Sequence, residues 1–246
     1  MPWPPRSPAG KTEVNPLHIL SAGAAQSVTQ RMSKQFTGDT GREVKAAFGA
    51  VGAMKARVVA GEPVDVVILS APLIEELIAS GLLVGGTRRD LGTVGTGVAV
   101  RAGTPPPDIS STRALRDNLL AAQRIVCPDP AIATAGKIVM RALEILGIGE
   151  EVRPKIQLFP NGYAAMASLA ESRGPFEMGI TQTTEILGNK GVTYAGPLPA
   201  ELQMKTVYAA GLAANAQNPE AARDFIARLV APAARSMLEA AGYEFA

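Results

Sequence analysis

A chain of 246 residues with 47% apolar and 19% charged side chains has the makeup of an ordinary folded protein, built as one large unit or two lobes. Its net charge is +2 and its longest basic run is Arg88-Arg89, which excludes a nucleic-acid surface. No apolar run nears the ~20 residues a membrane span needs, and one cysteine with one histidine excludes an internal disulfide and a histidine-cluster metal site. No cofactor is expected.

Residues 1–16 form a proline-rich arm without the apolar centre of a secretory signal. A periplasmic location therefore requires a leader that has been removed; otherwise the chain is cytoplasmic. Residues 17–21 (LHILS) read as the first strand, followed by a loop of small residues, 22–25. A helix with Val28, Met32 and Phe36 on one face follows, closed by Gly38 and Gly41. Next comes a βαβ unit: strand 43–48, glycine turn 49–52, helix 53–60 and strand 64–69. Glycines at a helix start let a bound group approach the unpaired first N–H groups, which suits an anion, or they ease a tight crossover.

Pro72 opens a helix with Leu73, Leu77 and Ile78 inward, ended by Gly81. Residues 94–101 read as one strand crossing into a second lobe, and 103–107 as a loop. Helix 112–121, strand 124–127 and helix 135–146 follow, the last capped by Gly147. Strand 155–159, a helix capped by Asn161, strand 176–181 and the polar cluster Gln182-Thr183-Thr184-Glu185 complete the second lobe. Segments 192–199 and 204–214 are expected to return the chain to the first lobe. Asn218-Pro219 and Pro232 each start a closing helix, the second ending at Gly242.

Phe48-Gly49, Gly52, Gly61, Pro63, Asp65-Val66 and Ser70-Ala71 stand in an order that resembles the molybdate-type periplasmic binding proteins, the solute receptors of ABC importers. The resemblance extends over about residues 17–246. It implies an α/β, two-lobed type II periplasmic-binding-protein fold, with mixed, mostly parallel sheets flanked by helices and a ligand cleft between lobes. Lobe I would be 17–98 plus 200–246, and lobe II 99–199. The implied partners are a small anionic ligand and, if the chain is exported, an ABC permease.

Such receptors hold a tetrahedral oxyanion with hydroxyls and backbone N–H groups rather than cations, so the anion can be released again. By resemblance, the binding serine after the first strand falls on Ala24, with Ser21 and Ser27 nearby. The FGSSG turn becomes Phe48-Gly49-Ala50-Val51-Gly52, without its hydroxyls. The third and fourth places fall on Thr134-Ala135 and Asn161-Gly162, through the backbone, and the family's tyrosine is replaced by Gln182. Each lost hydrogen bond to an anion is worth about 1.5–3 kcal/mol. The implied ligand is therefore not molybdate but a small organic acid, held by Ser21, Ala24, Ala50, Val51, Ser70, Thr134, Ala135, Asn161, Gly162, Gln182 and Thr183.

Plain structural readings stand beside these. Asn161 and Thr134 are good helix N-caps, Asp65 fixes a strand end, Cys127 sits in an apolar strand, and a lone strand histidine, His18, is structural more often than catalytic. Three functions follow, the first two being a solute-binding protein of an ABC importer and a cytoplasmic isomerase or lyase of a small organic acid. In the second, His18, Thr134, Thr183 and Glu185 are the acid–base candidates. An effector-sensing module of a transcription regulator is the third, without a helix-turn-helix before Leu17 to support it.

Overall fold

The structure, a computed structural model, describes residues 15–245; the arm expected over 1–16 lies outside the described residues except for Asn15 and Pro16. The chain opens with β1 (Leu17–Ala22), α1 (Gln26–Thr40), β2 (Val44–Gly49), α2 (Val51–Val59), β3 (Val66–Ser70), α3 (Ala71–Ala79) and β4 (Arg89–Val94). Gly95 alone then leads into β5 (Thr96–Arg101), and α4 (Thr112–Ala121), β6 (Arg124–Pro128), α5 (Thr134–Ile145) and α6 (Gly149–Val152) follow. After them come β7 (Ile156–Phe159), α7 (Gly162–Glu171), β8 (Glu177–Gln182), α8 (Thr183–Leu187) and β9 (Val192–Pro197). β10 (Thr206–Leu212), α9 (Pro219–Leu229) and α10 (Arg235–Ala240) close the chain.

Two five-stranded sheets result, ordered β2-β1-β3-β10-β4 and β7-β6-β8-β5-β9. β1 pairs in parallel with β2 and β3, whereas β10 runs antiparallel to β3 and β4. The second sheet repeats this, with β5 the reversed strand between β8 and β9. The cause is connectivity: β5 and β10 are the strands by which the chain enters each lobe, so they start at the lobe junction and run away from it. The other four strands of each sheet run towards it. Their carboxyl ends, where ligands sit in open α/β sheets, therefore face the opposite lobe.

Three expectations change. Residues 94–101 are not one strand: β4 closes the first sheet and β5 opens the second. Residues 192–197 do not return to the first lobe, because β9 stays paired with β5. Helix α2 starts at Val51, so Gly52 lies in its first turn rather than in a preceding loop.

The first lobe has one continuous apolar core, in which Phe36 of α1 meets Phe225 of α9 edge-on at 5.4 Å between ring centres. The second has a cluster on each face of its sheet, one under α4 and α5 and one under α7. Asp65 is buried just before β3 and accepts hydrogen bonds from His18 N–H (2.9 Å) and Asn218 N–H (2.8 Å). It ties the start of β1 to the start of α9, a structural role, and His18 Nδ1 lies 3.9 Å from the same carboxylate, at the end of β1 remote from the cleft. Asp65→Ala would orphan two N–H groups and is expected to cost about 3 kcal/mol of stability, read by urea denaturation.

Candidate functional site

The strand ends meet at an inner cavity of about 20 Å³ between the lobes, room for a group the size of a water molecule. From the first lobe it is lined by Gly23 and Ala24 after β1 and by Ala50 and Val51 at the start of α2. From the second come Thr134 and Ala135 of α5, Asn161 and Gly162 at the start of α7, and Gln182 and Glu185 of the β8–α8 turn. Tyr208 of β10 closes the set.

One side of the cavity donates. Neither α2 nor α5 has a side-chain cap, so their positive dipole ends and their first-turn N–H groups, apart from that of Gly52, are free to face an anion. Thr134 is the first residue of α5 rather than its cap, which is Ala133, and it adds a hydroxyl. Asn161 behaves differently: its side chain caps α7 by accepting from Ala164 N–H at 2.9 Å.

The other side accepts. The Glu185 carboxylate is buried, takes a hydrogen bond from Thr181 Oγ1 at 2.5 Å, and accepts N–H groups of Gly162 and Gln182. It rests on two glycines, one from each lobe. A Cβ placed on Gly162 would lie 1.9 Å from Glu185 Oε2, and one on Gly23 2.5 Å from Oε1, so neither position tolerates a side chain. Burial outweighs the three hydrogen bonds and pushes the carboxyl up to about 7. Gln182 Oε1 is buried with no hydrogen-bond partner among the described residues, while its Nε2 sits 3.5 Å from Thr206 Oγ1. Burial and the Glu185 charge push the hydroxyls of Tyr208, Tyr163 and Tyr243 upwards, keeping all three protonated near neutrality. No lysine or arginine lines the inner cavity among the described residues.

Eight of the eleven expected site residues converge here: Ala24, Ala50, Val51, Thr134, Ala135, Asn161, Gly162 and Gln182. Three do not. Ser21 lies within β1 and its hydroxyl bonds to Ala22 O at 3.1 Å. Ser70, before α3, faces an outer groove instead. Thr183 turns its N–H to Gly95 O at 2.9 Å, beside the crossing between lobes. Tyr208 carried no signal beyond its place in a strand. The sequence offers Glu185 only as an acid–base candidate, and its position four residues after Thr181 is the one clue to the contact between them.

The lobes touch across the cleft. Gly52 N–H of α2 donates to Ile132 O at 3.0 Å, and a Cβ on Gly52 would lie 2.9 Å from that oxygen. The structure is thus a closed form.

Residues 17–244 match the model of a family described as bacterial extracellular solute-binding proteins. The chain is similar to the aconitate isomerase of a Pseudomonas species, 28% identical over 235 residues, 93% of this chain and 87% of that protein. It is also similar to the molybdate-binding protein ModA of Escherichia coli K12, 22% identical over 192 residues, 77% of this chain and 74% of that one. Among solved structures, the periplasmic molybdate-binding protein of Azotobacter vinelandii superposes with a TM-score of 0.78 at 22% identity, covering 94% of this chain and 99% of that chain.

Proposed function

Because the chain belongs to the bacterial extracellular solute-binding protein family and carries the fold of the molybdate-binding proteins, we propose that its cleft takes a small organic carboxylate rather than a metal oxyanion. The two-sidedness of the inner cavity carries this reading. N–H groups of α2 and α5 suit a carboxylate, but Glu185 and the orphaned Gln182 Oε1 are acceptors opposite them. A tetrahedral oxyanion would turn unprotonated oxygens towards those acceptors. An organic acid instead offers its carboxylate to one side and C–H or O–H groups to the other.

Glu185 favours a second reading, in which the bound acid is also isomerised. It is the one lining side chain that titrates near neutrality, the value a general acid–base needs. On an unsaturated acid it would take a proton from the carbon next to a carboxylate. The resulting negative charge would spread onto the carboxylate held at the N-termini of α2 and α5. Glu185 would then return the proton two carbons along. One C–H bond breaks, one forms and the double bond shifts, with no oxidant or reductant. The similarity to an aconitate isomerase supports this chemistry.

The test is a thermal-shift screen against molybdate, sulfate, cis- and trans-aconitate, citrate and tricarballylate, followed by NMR of each aconitate incubated with the protein. A bound carboxylate at a hundred times its Kd stabilises by about 2.7 kcal/mol, a rise of roughly 5–10 °C for a chain of this size. A response to molybdate alone would overturn the organic-acid reading. Binding of aconitate without interconversion of its isomers would leave a receptor and remove the isomerase.

A further inference from the structure

Beyond the inner cavity the cleft widens into a groove of about 840 Å³, which shares Val51, Ala133 and Thr134 with it. Leu73 and Ile132 give the groove apolar walls, and Lys55, Arg88, Lys137 and Lys205 give it positive charge. Three of these cations are already engaged. Lys55 pairs with Glu76, Lys205 with Glu244, and Arg88 with Glu75 at 2.7 Å and Asp90 at 2.8 Å. Lys137 has no carboxylate within ion-pair distance among the described residues, so it is the cation of the groove left without a partner. That charge is well placed. Lys137 follows Thr134 by three residues on α5, so the two lie on one helix face with Cβ atoms ~5–6 Å apart.

An inner cavity with room for little more than one small group cannot hold a whole polycarboxylic acid; the remainder of the ligand must extend into the groove. We infer that Lys137 forms an outer subsite for a second carboxylate, so that the cleft selects di- and tricarboxylic acids over monocarboxylic ones. The inference rests on the proposed carboxylate cavity and adds the feature that sets chain length and charge. The inner carboxylate sits on the first turns of α2 and α5, the carbon skeleton lies along Val51, and the outer carboxylate reaches the Lys137 ammonium one turn further out.

Calorimetric titration of butyrate and tricarballylate into the wild type, Lys137→Met and Lys137→Arg tests it. Lys137 is exposed and without a partner, so both variants keep the fold. The wild type should bind tricarballylate at least about tenfold more tightly than butyrate, the worth of one added charge-assisted contact. Lys137→Met should erase most of that advantage and leave butyrate unchanged, and Lys137→Arg should restore it. An advantage that survives in Lys137→Met, or equal wild-type affinities for the two acids, would overturn the subsite while leaving the inner cavity intact. Binding of neither acid by the wild type would overturn the carboxylate cavity itself, and the subsite with it.

Discussion

Glu185→Gln is expected to lower any isomerase turnover by about a thousandfold, the usual worth of a positioned general acid–base. Glutamine keeps the shape between Gly23 and Gly162 and retains an oxygen for the Gly162 or Gln182 N–H, but it carries no exchangeable acidic proton. The same variant has a second readout that does not need turnover. The folded carboxyl is pushed up by burial to about 7 from its ordinary value of 4.5. As pH rises from about 4.5 to 7 the unfolded chain releases this proton while the folded chain holds it, so stability falls through that window. Above 7 both states are ionised and the penalty is complete; below 4.5 both are protonated and it vanishes. That displacement corresponds to roughly 3 kcal/mol. Wild-type melting temperature should therefore drop between pH 5 and pH 8, and the variant should lose most of that drop, melting higher than wild type at pH 8. A wild type with no such drop would contradict a desolvated carboxyl at this position. Full turnover in Glu185→Gln would remove it as the proton carrier.

Glu185 also marks where sequence reasoning stopped short. Helix starts were legible because their chemistry is local: small residues after β1 and β2, Asn161 before α7, and Thr134-Ala135 opening α5. Those positions reach the cavity through backbone geometry, so they converge whatever their side chains. Ser21 and Ser70 carry hydroxyls that suit an anion, but where those hydroxyls point is set by strand direction and helix start, which a single polar residue does not reveal. A carboxylate in an anion cleft runs against charge complementarity. It is tolerated because Thr181, Gly162 and Gln182 supply hydrogen bonds from an element and a turn that come together only in the fold. The missed strand β4, RDLGTV, has an exposed polar start and a glycine, and lies at the edge of its sheet. Such a strand is held by pairing with β10, more than a hundred residues away, and has little local pattern to announce it.

Side chains introduced at Gly52 are expected to weaken ligand binding in proportion to their size, about tenfold for alanine and about a hundredfold for valine. Closure brings Gly52 N–H onto Ile132 O, and an added Cβ would meet that oxygen at 2.9 Å and the Ile132 Cα at 3.4 Å. Both contacts are to backbone, which cannot swing aside as a side chain would, so the strain is relieved by holding the lobes apart. The variant then loses the Gly52–Ile132 hydrogen bond, about 1 kcal/mol, and part of the enclosure of the bound acid. Valine, with branches beyond the Cβ, widens the gap further. Within its own lobe the substitution is benign, because Gly52 lies in the first turn of α2 and alanine is the better helix former. Gly52→Ala should therefore melt no lower than wild type without ligand while gaining less when tricarballylate is added. Small-angle X-ray scattering separates the causes: tricarballylate should keep the wild type compact, whereas Gly52→Val should retain a larger radius of gyration with or without it. Unchanged affinity and compaction in the valine variant would show that the Gly52–Ile132 contact does not gate the cleft.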